Sequence, residues 1–109
     1  MLLVHLTLDP PPGGEPLPPD IGCLIRACAT REDRLEHVAV HAAAPWPVVG
    51  VFLCRADLMS AEAAAERLWW RAVARRPRLA AWRLRRAEVP LLRPELLGPE
   101  VLRPDDGHT

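Results

Sequence analysis

Along the first eight residues apolar positions alternate, with Leu2, Val4, Leu6 and Leu8 on one side and Leu3, His5 and Thr7 on the other. That is the period of a strand half buried against a core. From Asp9 to Pro19 the alternation stops, and six prolines with two glycines predict an irregular connection, extended in parts. Asp20 then stands where a helix cap belongs, followed by Ile21, Leu24, Ile25 and Cys28 at the i, i+3, i+4, i+7 spacing of one helical face, before the polar stretch Thr30 to Asp33. Gly22 weakens that helix, and a strand through Cys23 to Thr30 is the alternative.

Leu35 to Ala42 alternates again, Val38 and Val40 opposing His37, Ala39 and His41, and predicts a second strand. Pro45, Trp46 and Pro47 interrupt pairing and predict a turn within Ala43 to Pro47. The run Val48 to Cys54, apolar at every other step and its intervening ones, suits a central strand, so the second and third strands should form a hairpin. Ser60 is placed to cap a helix that carries Ala61, Ala64, Ala65, Leu68, Trp69 and Ala72 on its apolar face and runs to about Arg75, since Pro77 forbids continuation. A last strand is expected from Leu79 to Arg86, with Ala80, Trp82 and Leu84 on one side and Ala81, Arg83 and Arg85 on the other.

Strand, helix, strand, strand, helix, strand, joined by two split crossovers, predicts a ferredoxin-like α+β sandwich over residues 1–88. In it four antiparallel strands lie in the order 4-1-3-2, with both helices on one face and the other face bare. Residues 9–19 form its proline-rich loop. Residues 89–109 read as a separate tail: Pro90 to Pro94, Glu95 to Pro99 and Glu100 to Pro104 are successive five-residue units ending in proline, each with a central apolar pair. A period of five fits neither helix nor strand, so the tail should be extended and should lay Leu91, Leu92, Leu96 and Leu97 on an apolar groove of its own domain or of a partner.

Charge changes the picture. The fourteen arginines balance fourteen carboxylates, yet eight of the arginines lie between Arg67 and Arg86 with no carboxylate among them. Such a block suits an acidic protein surface, a phosphorylated ligand or nucleic acid. On a helix Arg67, Arg71 and Arg75 form one stripe, whereas Arg83 and Arg85 belong to a strand, so the block divides into at least two patches and nucleic acid is disfavoured. The helical stripe repels itself unless carboxylates answer it, and Glu88, Glu95 and Glu100 are candidates. Lysine, asparagine, glutamine and tyrosine are absent, a bias of a GC-rich bacterial genome that also weakens any meaning in arginine's replacing lysine.

Chemistry-bearing motifs are few. Cys23, Cys28 and Cys54 lie in apolar contexts without a Cys-x-x-Cys pair and read as small buried hydrophobes. Ser60 is accounted for by capping, and Gly13–Gly14 lies in a proline run that does not open a helix directly. His5, His37 and His41 should share the bare face of the sheet with Arg83 and Arg85, beside Leu3, Thr7, Leu35 and Ala39. His37 and His41 are about 13 Å apart along an extended strand, too far to share one metal ion, so neither a metal nor a cofactor is expected. Trp70 falls opposite the apolar helical face and is expected as an exposed interface anchor beside the arginine stripe, the alternative being cover by the leucine pairs of the chain's own tail, Leu91 to Leu102.

No basic n-region or cleavage site accompanies the apolar first residues and no long apolar run follows, so a cytoplasmic protein without membrane association is expected. The favoured function is a protein–protein interaction module, a homodimer or an accessory subunit of a larger bacterial assembly, contacting partners through the bare face, Trp70 with Arg67, Arg71 and Arg75, and the tail. The alternative is a ligand-binding or isomerase-like dimeric α+β barrel using His5, His37, His41, Arg83 and Arg85. Polyanion binding by the Arg67 to Arg86 block is third, and an enzymatic role is not favoured.

Overall fold

A computed structural model of the chain describes residues 1–42 and 46–90. Six regular elements follow in order: β1 (Leu2–Asp9), α1 (Ile21–Cys28), β2 (Leu35–His41), β3 (Val48–Leu53), α2 (Leu58–Arg75) and β4 (Arg83–Glu88). The strands form one antiparallel sheet in the order β2-β3-β1-β4, the ferredoxin-like arrangement that the alternation predicts. The tail beyond Pro90, with Leu91, Leu92, Leu96 and Leu97, lies outside the described residues, as do Ala43, Ala44 and Pro45 of the expected turn.

One face of the sheet carries the core. Val4, Leu6 and Leu8 of β1, Val49, Val51 and Leu53 of β3 and Val38 of β2 are buried there beneath Ile21, Ile25 and Cys28 of α1 and the six expected residues of α2. Gly22 faces β2: a Cβ there would make ordinary van der Waals contact with the side chains of Val38 and Val40 at 3.7 Å. The helical reading of this segment holds, and the competing strand from Cys23 to Thr30 does not form.

Several local expectations are corrected. Asp20 occupies the α1 cap position, but its carboxylate makes no cap bond; it accepts two hydrogen bonds from Arg76, at 2.7 and 2.9 Å. The cap of α2 is Asp57, whose Oδ1 accepts from the Ser60 backbone N–H at 2.8 Å, while the Ser60 hydroxyl accepts from Arg55 Nε at 2.6 Å. Pro77 opens a 3-10 turn over Pro77–Ala81, so β4 begins at Arg83 instead of Leu79. A register shift between Thr7 and Leu8 then pairs Leu8 with Leu84 and Leu6 with Ala87, which breaks strict alternation along β4. A second shift, around Glu36, turns Leu35 towards the core opposite Leu53 instead of onto the bare face. Of the three cysteines only Cys28 is buried; Cys23 lies on the outer side of α1, and Cys54 just beyond the end of β3.

Candidate functional site

Residues paired across an antiparallel ladder share a face, so the pairing register alone lays out the side of the sheet that the helices leave open. Three rows cross it: Leu3, Phe52 and His37; Glu88, His5, Gly50 and Ala39; and Arg86, Thr7, Val48 and His41. Asp9 with Arg83 adds a shorter fourth row. The three expected histidines are therefore brought onto one face, with an apolar centre of Leu3, Phe52, Val48 and Ala39 between them. All of these apolar side chains are half-buried, unlike the fully buried residues on the helix side.

Gly50 shapes the middle of that face. A Cβ at this position would come within 3.1 Å of Leu3 Cδ1 and 3.7 Å of His5 Cδ2, so both side chains lean over a spot that holds no side chain of its own. His5 and His41 sense each other across it. Burial holds the His5 imidazole below its ordinary range, the positive field of His41 acts in the same direction, and Glu88 in the adjacent strand opposes both. His37 lies at the edge, its ring 5.5 Å from that of Phe52, and the Arg26 guanidinium reaches round from α1 to within 3.3 Å of its Nδ1.

The β4 side of the face carries charge already paired. Arg85 bonds Asp9 at 3.0 Å and stacks over the Trp46 ring at 4.6 Å, and Arg86 lies 3.3 Å from Glu88. The sequence did not assign Asp9, Trp46, Phe52, Arg86 or Glu88 to this face; the first three flank breaks in alternation or lie in a uniformly apolar run, and Arg86 and Glu88, expected in the basic block and as an answer to the helical stripe, move onto the open face only because of the β4 register shift. Trp82 points inward as expected and is buried.

The helical arginines do something else. Arg71 donates to Asp33 Oδ2 at 2.6 Å and reaches the Cys28 carbonyl at 3.4 Å, and Arg75 reaches the Ala27 carbonyl at 3.3 Å. Asp33, only 1% exposed, also accepts from the backbone N–H and the hydroxyl of Thr30, at 2.7 and 3.0 Å. Burial pushes the Asp33 carboxyl up, but these hydrogen bonds and the Arg71 charge outweigh it and hold it below the usual carboxylate range. Two of the three stripe residues thus close the carboxyl end of α1, where cations are favoured by the exposed carbonyls. Glu88 lies on the open face, and Glu95 and Glu100 lie outside the described residues. Arg67 has no bonded partner among the described residues, and Trp70 is 53% exposed on the outward side of α2.

Two surface hollows of about 380 and 280 Å³ meet at Trp82 and Pro16, one extending to Arg76 and the other to Pro47; none of His5, His37, His41, Arg83 or Arg85 lines either. Among the described residues no three His, Cys, Asp or Glu side chains gather as they would around a metal ion, and no helix is long and apolar enough to cross a membrane. No family model, curated protein or solved structure matches the chain.

Proposed function

We propose that the protein is a small protein–protein interaction module whose first partner is a second copy of itself, joined through the open face of the sheet. The observation that carries this is the group of half-buried Leu3, Phe52, Ala39 and Val48, spread over three strands around Gly50 on the face opposite the core. A sheet face of this composition gains by meeting another apolar surface. Self-pairing is supported by the charges around it: three guanidiniums and two carboxylates, most of them already paired within the chain, so two identical faces would approach without strong repulsion. Trp70, on the far side of α2, would be a separate contact point for another subunit.

Sedimentation or light scattering at tens of micromolar is expected to give twice the chain mass. Phe52→Asp should give a monomer with an unchanged circular dichroism spectrum, since Phe52 faces away from the core. A wild-type monomer at that concentration removes the reading.

A second reading rests on His5 and His41 beside Gly50: two such faces closing on each other would enclose imidazoles suited to proton transfer on a small molecule. It predicts chemical-shift changes at His5 and His41 on ligand addition. Polyanion binding loses support from the helical arginines, because Arg71, Arg75 and Arg76 are engaged with groups of the same chain.

A further inference from the structure

We infer that self-association through the open face is controlled by pH, the protonation of its histidines driving the two copies apart. This rests on the dimer reading above. The geometry is the gathering of three imidazoles from two strands onto one apolar surface: His5 in the central row, His41 diagonally across Gly50, and His37 beside Phe52. A second copy laid on this face brings six of them into one interface. Neutral imidazoles tolerate that burial, whereas imidazolium ions do not unless anions are at hand.

The anions at hand are few. β1 offers Asp9, bonded to Arg85, and β4 offers Glu88, bonded to Arg86 and facing His5. β3 contributes Val48, Gly50 and Phe52, none of them titratable, β2 carries the exposed Glu36 at the register shift before His37, and the charges left after the two pairs are cationic: Arg83 of β4 and Arg26 of α1 beside His37. Protons added here therefore join an existing excess of positive charge. His5 already resists protonation in the single chain, for the reasons of burial and of His41 given above. The sign follows: the separated copies bind protons more readily than the pair, so falling pH favours separation. The transition belongs below about pH 6.5, where imidazoles ionise.

Sedimentation equilibrium at pH 7.5 and 5.5, with circular dichroism at both, tests this. The dimer dissociation constant should rise by roughly tenfold or more at the lower pH with the fold intact. In the variant His5→Gln, His37→Gln, His41→Gln it should change by less than about threefold, and His5→Gln alone should reduce the pH slope. An equal constant at both pH values, a slope retained in the triple variant, or dissociation accompanied by unfolding would overturn the inference while leaving the dimer standing. A monomer at pH 7.5 would remove both.

Discussion

Asp33 shows how much one side chain can hold in place. Its carboxylate joins the Thr30 turn to Arg71, and so ties the segment after α1 to the C-terminal part of α2. Removing it takes away the hydrogen bonds from the Thr30 N–H and hydroxyl and the charged partner of Arg71, so Asp33→Ala should cost about 1–3 kcal/mol in urea unfolding at pH 7. Because its folded-state ionisation lies below that of an unfolded aspartate, its contribution is complete above about pH 4 and fades as pH falls through the folded value. The gap between wild type and Asp33→Ala should therefore narrow by pH 3; a gap constant from pH 7 to 3 would contradict the ionised pair. Arg71→Ala should act on stability through the same contact. Asp33 was present in the sequence as the last residue of a polar stretch, but nothing local distinguishes a buried carboxylate from a solvated one; the arginine that matches it is 38 positions away.

At the level of elements, the helix starts separate what composition suggests from what geometry selects. Asp57 and Ser60 are both good cap residues, three positions apart. The chain uses Asp57 for the cap and leaves the Ser60 hydroxyl to Arg55, which also donates to the Glu32 carbonyl at 2.7 Å. Asp57→Ala is expected to lower stability by about 1 kcal/mol, from the lost cap. Ser60→Ala should cost less, since its hydroxyl serves a partly buried arginine and the cap survives; the reverse ranking in chemical denaturation would restore Ser60 as the cap. Strand β4 teaches a different lesson. The segment after Pro77 alternates well enough to suggest a strand from Leu79, yet alternation also fits a 3-10 turn followed by a bulged strand, and only pairing with β1 distinguishes them. The bulge matters for function because it delivers Arg86 and Glu88 to the open face beside Thr7 and His5.

For the whole molecule, the fully buried core cluster among the described residues runs from Val4 to Trp82, and Val89 is anchored by its backbone N–H to Glu62 at 3.1 Å. A chain ending at Pro90 should therefore fold with a thermal midpoint within a few degrees of the full chain, corresponding to less than about 1 kcal/mol. A large loss would mean that residues 91–109 supply core contacts. What the sequence determined by itself is the order and type of the elements, the apolar face of α2 and the outward position of Trp70, because periods of 2 and 3.6 are properties of neighbouring residues and survive without any knowledge of contacts. It also placed His5, His37 and His41 on one side, since alternation within each strand needs no partner. Tertiary structure decided the rest: which carboxylate answers Arg71, which of three cysteines is buried, and how Phe52, Gly50 and Glu88 line up with the histidines. Those depend on strand register and on helix-to-sheet distance, quantities set by residues far apart in the chain whose pairing leaves no local periodic signal.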